Sequence, residues 1–264
     1  MQGTMLKDKT ALVTGSTSGI GLGIARALAE QGANIVFNGF GEAAAIAALQ
    51  AELSKRWGLK TAYHGADMSK PEEIGAMMDF ATERFGAVDV LVNNAGIQHV
   101  ANIEDFPVDK WDAIIAINLC SAFHTTRLAL PSMKKRNWGR IVNIASTHGL
   151  VASVQKSAYV AAKHGIVGFT KATALETAHT GVTCNAICPG WTLTPLVQKQ
   201  IDARAKRDGI ADAEARVAIV AEKQPSGEFV KVEQLAALAV FLCSEAADQV
   251  RGAAWNMYGG WVAQ

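Results

Sequence analysis

Three side chains in this sequence have the types and spacing that suit proton transfer. Tyr159 and Lys163 lie one helical turn apart, and Ser146 precedes the tyrosine in the chain. A tyrosine hydroxyl has a pKa of about 10, too high for a base at neutral pH, but a neighbouring ammonium favours the phenolate and lowers that pKa. The three residues therefore predict a phenol that exchanges a proton with a substrate hydroxyl. For the pair alone, a surface tyrosine beside a solvated lysine is the alternative.

A glycine-rich segment near the N-terminus has the pattern of a phosphate-binding turn. An apolar run from Thr10 leads into Gly15, and a helical pattern begins near Gly19 and Gly21. Glycines at these positions let the backbone turn sharply and approach a pyrophosphate at the positive end of the helix. The spacing G-x-x-x-G-x-G differs from the G-x-G-x-x-G of other dinucleotide folds, but the strand before it and the helix after it are the required context. We predict a dinucleotide site here, with a structural turn as the alternative.

The elements that must position these residues alternate along the whole chain. The pattern predicts strands near 10–14, 34–38, 60–64, 88–93, 139–146, 181–188 and 253–258, and helices near 19–31, 42–57, 71–85, 108–135, 156–178 and 231–244. Apolar strands separated by helices indicate a parallel sheet covered on both faces. With right-handed crossovers, the pattern predicts a doubly wound seven-stranded α/β fold and a single domain over residues 1–264. Its ligands should bind at the carboxyl ends of the strands.

Several motifs, in this order, resemble the short-chain dehydrogenase/reductase family. They are Thr14-Gly-Ser-Thr-Ser-Gly-Ile-Gly21, Asn93-Asn-Ala-Gly96, Asn118, Ser146, Tyr159-Val-Ala-Ala-Lys163 and Pro189-Gly190. The resemblance implies a Rossmann-type sheet and an oxidoreductase. A closer resemblance, to bacterial members that act on short 3-hydroxy acids, lies in Asn93-Asn-Ala-Gly-Ile-Gln-His99, Ala145-Ser-Thr-His-Gly-Leu-Val-Ala152 and Cys188-Pro-Gly-Trp-Thr192. It implies interconversion of D-3-hydroxybutyrate and acetoacetate.

The chemistry of such a reaction assigns roles to the catalytic residues. No side chain accepts a hydride, so a nicotinamide is required. Tyr159 would take the hydroxyl proton, and Ser146 would hold the same substrate oxygen. By resemblance, Lys163 also binds the nicotinamide ribose, and Asn118 holds a water that links Lys163 to solvent. The alternative for Asn118 is a buried amide satisfied by backbone groups.

The segment after the second strand bears on the choice of cofactor. Phe37-Asn-Gly-Phe-Gly41 lacks the carboxylate that usually binds the ribose of NAD, and neither 15–21 nor 38–41 contains Arg or Lys to pair a 2′-phosphate. The missing phosphate partner favours NAD over NADP. Phe40 could pack beside the adenosine and, by resemblance, Asp67 could bond the adenine. The expected cofactor-binding residues are Gly15, Thr17, Ser18, Gly19, Ile20, Gly21, Phe40, Asp67, Met68, Asn94, Ala95, Gly96, Tyr159, Lys163, Pro189, Gly190 and Thr194.

Polar residues near the catalytic trio suggest a small anionic substrate. Lys156 shares a helical face with Tyr159, and His148 lies two residues past Ser146, so both should be close by. A loop histidine and a solvated lysine are the alternatives. An ammonium, an imidazole and two amides suit a carboxylate. The indoles of Trp191 and Trp261 could wall a small cavity, with packing in the core or at an interface as their alternative. The expected substrate-binding residues are Gln98, His148, Lys156, Trp191, Gln200 and Trp261, where Gln98 and Gln200 rest on resemblance.

One long segment breaks the alternation of strands and helices. Between the sixth strand and the last helix, Gly190 to Val230 contains two charged helical stretches, 197–207 and 211–223. A connection between a helix and a strand is usually about 2–6 residues long. We therefore predict that residues 191–223 form a lid over the substrate.

Composition and charge exclude several other classes of protein. Hydrophobic residues make up 50% of the 264 and charged residues 19%, with a formal net charge of +1. This gives no electrostatic reason to expect nucleic acid or an anionic membrane as a partner. No apolar run approaches the ~18 residues of a membrane span, and the first residues lack the apolar stretch of a signal peptide. We expect a cytoplasmic location.

The four cysteines do not suggest a metal site. Cys184 and Cys188 lie four apart in a strand-like run, and neither a second cysteine pair nor a histidine cluster completes a zinc set. Buried free thiols in a reducing compartment are the better interpretation. The resemblance further implies a homotetramer built on helices 108–135 and 156–178 and on the C-terminal segment with Trp255 and Tyr258.

Two alternative functions remain open from the sequence. One is another enzyme of the same family, such as a 3-oxoacyl-carrier reductase that uses NADPH. The other belongs to a different class, a regulator that senses NAD without turnover. Such a regulator typically lacks the catalytic tyrosine or lysine, and this chain has both.

Overall fold

Seven parallel strands form the centre of the fold, which a computed structural model describes for residues 4–263. The strand order is β3-β2-β1-β4-β5-β6-β7, and every neighbouring pair is parallel. The sheet order reverses direction between β1 and β4. The predicted doubly wound fold is therefore confirmed. The strands are β1 (Thr10–Val13), β2 (Asn34–Asn38), β3 (Thr61–His64), β4 (Val90–Asn93), β5 (Gly139–Ile144), β6 (Val182–Pro189) and β7 (Ala254–Met257).

The central strands are apolar on both sides because helices cover both faces of the sheet. In β1, Val13 packs into one buried cluster and Leu12 into another. The first cluster joins the sheet to helices that include Ile24 and Leu235, and the second joins it to helices that include Ile74 and Met133. Alternate residues of one strand thus pack against the helices on opposite faces of the sheet, which explains the continuous apolar runs in the sequence.

Nine α-helices occur within residues 4–263, most of them close to their predicted bounds. Lys156 departs from expectation, because it lies just before its helix rather than inside it. The predicted helix 108–135 is continuous, but a wider π-helical turn, Ala116–Cys120, separates two α-helical parts. The helices are α1 (Gly19–Glu30), α2 (Ala43–Trp57), α3 (Pro71–Phe85), α4 (Val108–Ile115), α5 (Ser121–Lys135), α6 (Ser157–Glu176), α7 (Pro195–Asp208), α8 (Asp212–Ala221) and α9 (Val232–Cys243).

The expectation that no segment is apolar enough to span a membrane needs a correction. The helical segment Val108–Lys135 is long and apolar enough by length and composition alone, and 39% of its most apolar stretch is buried. In the fold this segment lies against the sheet, where Ala122, Ala129 and Met133 are buried. It is a helix that packs in the core of this fold.

Candidate active site

The turns that follow four neighbouring strands meet at one edge of the sheet. Gly15 follows β1, Asn94 follows β4, Ser146 follows β5 and Gly190 follows β6. All four line one cleft of about 190 Å³, called the main cleft below. It lies where the strand order reverses, which is where doubly wound sheets bind ligands. The carboxyl ends of these parallel strands thus line one cleft.

The turn after β1 is held tightly against the segment after β4. Gly15 has φ +61°, a conformation that favours glycine, and an added Cβ there would lie 3.0 Å from the Cα of Ala95. The Asn94 amide donates to the carbonyl oxygens of Thr14 (2.9 Å) and Gly15 (3.1 Å). The Thr14 hydroxyl in turn accepts from the backbone N–H groups of Asn94 and Ala95. The sequence pattern does not single out Thr14 for this role, because a hydroxyl at a strand end is common.

The N-terminus of α1 opens into the main cleft. Ser18, Gly19 and Ile20 line it, and the Ser18 side chain makes no capping hydrogen bond. No acidic side chain lies in the first turn of α1, and the first N–H groups of a helix have no partners within it. These features fit the pyrophosphate of a dinucleotide. Gly21 has a packing role, because an added Cβ would meet the Gly15 carbonyl and the Asn94 amide.

The structure brings most of the expected cofactor-binding residues into the main cleft and leaves the others outside its lining. The lining set is Gly15, Ser18, Gly19, Ile20, Asn94, Gly96, Tyr159, Lys163, Pro189, Gly190 and Thr194. The residues outside are Thr17, Gly21, Phe40, Asp67, Met68 and Ala95.

The residues outside the lining have identifiable partners. Met68 and Ala95 pack their side chains into the core, so only their backbone could contact a ligand. The Asp67 carboxylate accepts from the Ser69 backbone (2.9 Å) and hydroxyl (2.7 Å), and these bonds hold the pKa of Asp67 below its usual range. Thr17 donates to the Phe40 carbonyl. The Phe40 ring itself is 72% exposed.

Asn38, at the end of β2, has a structural role that the sequence does not reveal. Its side-chain oxygen accepts from the Gly15 backbone N–H (3.2 Å), and its amide donates to the carbonyl oxygens of His64 (3.1 Å) and Ala66 (3.0 Å). The side chain is fully buried. Asn38 therefore ties the glycine turn to the ends of two further strands.

The three candidate catalytic residues, Ser146, Tyr159 and Lys163, line the main cleft. Ser146 is on the loop after β5, and Tyr159 and Lys163 are in the first half of α6. The Lys163 ammonium lies 5.5 Å from the centroid of the Tyr159 ring and donates to the Ile144 carbonyl at 2.7 Å. Ser146 lies close enough to Tyr159 for its side chain to lower the pKa of the phenol. The three residues therefore lie together at one end of the cleft.

Burial opposes the expected effect of Lys163 on Tyr159. In the protein alone, burial raises the pKa of Tyr159 to about 12, against a smaller lowering by the Ser146 side chain. Burial also lowers the pKa of Lys163 to about 8. The expectation that the lysine brings the tyrosine pKa below 10 is therefore wrong for the protein alone, because both groups lose solvation in the same site.

Asn118 lies in the π-helical turn between α4 and α5, close to the segment after β4. Its side-chain oxygen accepts from the Ile97 N–H at 2.9 Å, and its amide donates to the Ile97 carbonyl at 3.0 Å. Asn118 is buried, and an added Cβ on Gly96 would lie 3.6 Å from its oxygen. Each end of the amide is thus engaged by backbone, which is the alternative role considered for this residue. Its side chain holds the 96–97 segment in place.

A second cavity, called the inner cavity below, adjoins the main cleft and has a volume of about 60 Å³. Ser146 and Tyr159 belong to the lining of both. All six expected substrate-binding residues surround the inner cavity: Gln98, His148, Lys156, Trp191, Gln200 and Trp261. These residues come from four separate parts of the chain, namely 98, 148–156, 191–200 and 261.

Aromatic rings form one side of the inner cavity. Trp191 and Trp261 stack with ring centroids 6.1 Å apart and an angle of 23°. His148 meets Trp261 and Tyr159 edge-on, at 5.3 and 5.9 Å. The Lys156 ammonium lies 4.9 Å from the Trp191 ring centroid. The rings give this side of the cavity an apolar surface, and Trp191 holds the lysine by a cation–π contact.

The inner cavity carries one positive charge and donors without partners. Burial lowers the pKa of Lys156 to about 8, so its ammonium keeps its charge at neutral pH. Burial lowers the pKa of His148 to about 3, with Lys156 adding to the effect, so its ring is neutral there. The Gln98 amide nitrogen and the Trp191 indole N–H are buried without a hydrogen-bond partner. Buried donors without partners are costly, and an anion in the cavity would satisfy them.

Comparison with known proteins decides the family. Residues 9–205 match the short chain dehydrogenase family. The chain belongs to that family. This short-chain dehydrogenase is therefore an oxidoreductase that uses a nicotinamide cofactor.

Two dehydrogenases align with this short-chain dehydrogenase over almost its whole length. It is 72% identical over 260 residues to the D-beta-hydroxybutyrate dehydrogenase of Cupriavidus necator, which covers 98% of this chain and 100% of that protein. It is 56% identical to the D-beta-hydroxybutyrate dehydrogenase of Rhizobium meliloti, over 97% of this chain and 99% of that one. A crystal structure of a variant actinorhodin polyketide ketoreductase with NADPH is 37% identical, with a TM-score of 0.90 and 98% of each chain covered.

Proposed function

We propose that this enzyme is an NAD-dependent dehydrogenase that interconverts D-3-hydroxybutyrate and acetoacetate. The observation that carries the proposal is the inner cavity, where a charged lysine and two unpartnered N–H donors lie beside Ser146 and Tyr159. The 72% identical relative is a D-beta-hydroxybutyrate dehydrogenase, and it supports the same substrate.

The catalytic trio would handle the hydroxyl proton of the substrate. A bound nicotinamide supplies the hydride acceptor, and it would be held along the main cleft by the glycine turn, Asn94 and Lys163. Ser146 would hold the substrate oxygen by a hydrogen bond, and the Tyr159 oxygen would take the hydroxyl proton. Lys163 lies within 5.5 Å of the phenol ring, where a positive charge favours the phenolate. In the reduction direction, the Tyr159 hydroxyl would donate its proton to the substrate oxygen.

A carboxylate clamp would set the substrate class. Lys156 contributes the charge, Gln98, Gln200 and His148 contribute polar contacts, and the stacked indoles of Trp191 and Trp261 close one side. Hydrogen bonds to a charged group are worth about 1.5–3 kcal/mol each, so the acid group should dominate substrate affinity. A small cavity with this lining suits a four-carbon acid and leaves no room for a long acyl chain.

The end of β2 favours NAD over NADP. Phe37 to Gly41 contains no cation that could pair a 2′-phosphate, and Asn38 is buried with its polar atoms engaged. Lys163 is the only Arg or Lys in the described lining of the main cleft, and it belongs to the catalytic end.

Residues 191–223 would act as a lid over the substrate. Helices α7 and α8 have their own small core of Val197, Ile201, Ala215 and Ile219, while Trp191 and Gln200 from the same segment reach the inner cavity. A unit that packs mainly on itself and contributes side chains to the site can move without disturbing the sheet.

The assembly and location are part of the same proposal. Apolar side chains on the two long helical segments and on edge strand β7 are exposed, namely Phe123 (46%), Leu175 (76%) and Trp255 (37%). They fit a homotetramer built on these elements, and an edge strand of this kind is commonly paired or covered. All four cysteines are free, three of them buried, which fits the reducing cytoplasm.

An NADPH-dependent 3-oxoacyl-carrier reductase is the second candidate. The observation in its favour is the 37% identical ketoreductase structure, which contains NADPH. The stacked indoles and Lys156 at the inner cavity argue against a long apolar acyl substrate. A regulator that only senses NAD would have no use for the complete set of Ser146, Tyr159 and Lys163.

A substrate panel separates these candidates. Both enantiomers of 3-hydroxybutyrate, longer 3-hydroxy acids and the methyl ester of 3-hydroxybutyrate would be assayed with NAD and with NADP by absorbance at about 340 nm, where reduced nicotinamide absorbs. We expect turnover of the D acid with NAD and a loss of about tenfold or more in kcat/KM for the ester. An ester that reacted as well as the acid would refute the carboxylate clamp. Absence of turnover with every substrate would favour the regulator.

A further inference from the structure

The ring of His148 is held at both nitrogen atoms. Its Nε2 lies 2.9 Å from the hydroxyl oxygen of Ser153, and its Nδ1 lies 3.5 Å from the hydroxyl oxygen of Ser146. The backbone N–H of His148 also donates to the Ser146 oxygen at 3.1 Å. Ser153 sits on the irregular segment before α6 and lines the outer cavity, a space of about 780 Å³ that shares Lys156 and Trp191 with the inner cavity.

The number of hydrogens in this network determines the direction of each bond. Ser146 has one hydroxyl hydrogen, and its donation to a Tyr159 phenolate or to the substrate oxygen would use that hydrogen. The same hydrogen is then unavailable to His148 Nδ1, so Nδ1 must carry the ring hydrogen and donate to the Ser146 oxygen. Nε2 is then the acceptor, and the Ser153 hydroxyl must donate to it.

We propose that Ser153 is a positioning residue: it holds His148 as the Nδ1–H tautomer and thereby leaves the Ser146 hydroxyl hydrogen free for the Tyr159 oxygen or the substrate oxygen rather than for His148. Without the Ser153 hydroxyl, Nε2 loses its donor and the Nε2–H tautomer becomes available. Nδ1 would then be an acceptor, and it would compete for the only hydroxyl hydrogen of Ser146.

The neutrality of His148 is what makes its tautomer matter. Burial and the charge of Lys156 keep the imidazole uncharged over the working range of pH, so its single ring hydrogen has to be on one nitrogen or the other. The ring contacts Ser146, Ser153, Tyr159 and Trp261, and the charged or titratable groups that act on it are Lys156, Lys223 and His164.

A spectroscopic experiment tests the tautomer directly. The full-length enzyme would be labelled with ¹⁵N-histidine, and the two ring-nitrogen shifts of His148 would be measured at neutral pH without substrate, assigned by the signal that disappears in His148→Gln. We expect a protonated Nδ1 and an unprotonated Nε2 in the wild type. In Ser153→Ala we expect the shifts to move toward the other tautomer, and in Ser153→Thr, which keeps a hydroxyl, to stay.

Kinetic measurements on the same variants test whether the tautomer of His148 affects turnover. Ser153→Ala should lower kcat for D-3-hydroxybutyrate by roughly tenfold, the effect of one misdirected hydrogen bond, with the KM for NAD unchanged. Ser153→Thr should restore most of kcat. The matched control is Ser157→Ala, which removes a nearby buried hydroxyl that has no hydrogen-bond partner and should alter neither tautomer nor kcat.

The role of Ser153 and the proposed substrate can fail independently, although the kinetic test uses the substrate of the proposed function. A wild-type His148 protonated at Nε2, or unchanged shifts in Ser153→Ala, would overturn the inference whatever the substrate. The expected tautomer in an enzyme that does not oxidise 3-hydroxybutyrate would leave the positioning role intact and reject only the substrate.

Discussion

At the scale of single residues, burial shifts the pKa values of the ionisable side chains in the site toward their neutral forms. Tyr159 and Lys163 are both held toward their neutral forms, with pKa values of about 12 and about 8. A neutral phenol can donate its proton in reduction as it stands. Oxidation of an alcohol needs the phenolate, so it should be favoured by rising pH and by any positive charge that a cofactor brings to the cleft.

Replacing Tyr159 by Phe should abolish turnover and leave cofactor binding intact. In the proposed mechanism the phenol oxygen transfers the proton, and loss of such a group commonly lowers the rate by about 10²–10⁴. The proposed cofactor contacts come from the glycine turn and Asn94 and would remain. Steady-state kcat and NAD affinity, followed by tryptophan fluorescence, would be measured together. A variant that kept more than half of the wild-type kcat would contradict the role of Tyr159.

The KM for 3-hydroxybutyrate should rise as the pH increases through about 8. Lys156 has a lowered pKa of about 8, so its charged form dominates below that pH and is lost above it, and a neutral amine attracts a carboxylate less. KM would be measured from about pH 7 to about pH 10, a range that brackets the lowered pKa and stays below the usual lysine value of about 10.4.

Lys156→Arg is the control for this pH effect. A guanidinium stays charged over the whole range and also stacks on indole rings, so the KM of the variant should be flat. If the wild-type KM were flat as well, Lys156 would not bind the substrate through its charge.

At the scale of elements, close packing between α1 and the turn after β1 explains why a glycine is needed inside a helix. Gly21→Ala should destabilise the protein and weaken cofactor binding, because the added Cβ would press on the Gly15 carbonyl and the Asn94 amide. Overpacking of this kind costs about 1–3 kcal/mol.

Gly75→Ala in α3 is the matched control for this packing effect. An added Cβ there has no atom within 4 Å, and alanine in a helix is favoured over glycine by about 0.5–1 kcal/mol. Thermal unfolding of both variants should show a lower Tm for Gly21→Ala and an unchanged or higher Tm for Gly75→Ala. Equal shifts would mean that the contact with the turn is unimportant.

The two lid helices should respond to ligands while the rest of the fold does not. Lys206 and Arg207 are exposed near the end of α7, so trypsin should cleave there in the free enzyme, and NAD with a substrate analogue should slow that cleavage. Lys134 and Lys135, exposed at the end of α5, are the internal reference. Lid cleavage at the same rate with and without ligands would indicate a fixed structural excursion.

At the scale of the whole molecule, the exposed apolar side chains point to assembly. We expect a homotetramer in solution, with light scattering giving four times the mass of one chain. Leu175→Lys, at a 76% exposed position on α6, should weaken it, because a buried unpaired charge is costly in an interface. A wild-type monomer at micromolar concentration would contradict the proposed assembly.

The sequence alone determined the fold class, the order of the elements and the members of the inner cavity. Seven apolar strands alternating with helices allow few arrangements, and the carboxyl ends of parallel strands necessarily lie on one edge. The spacing of Tyr159 and Lys163 on one helical face and the closeness of Ser146 and His148 in the chain are local properties. Only the family resemblance predicts Gln98 and Gln200 at the site, because both are distant in the chain from Ser146 and Tyr159.

Only the tertiary structure decided which polar groups are satisfied and which are charged. The Asn118 side chain forms hydrogen bonds with the backbone of Ile97, and the Asn38 side chain accepts one from Gly15. These partners are distant in the chain and become neighbours only in the folded structure. The phenol pKa is raised, and His148 is neutral, because burial depends on every element packed around them. Desolvation and hydrogen-bond direction arise from three-dimensional neighbours, and a linear pattern of residue types does not contain them.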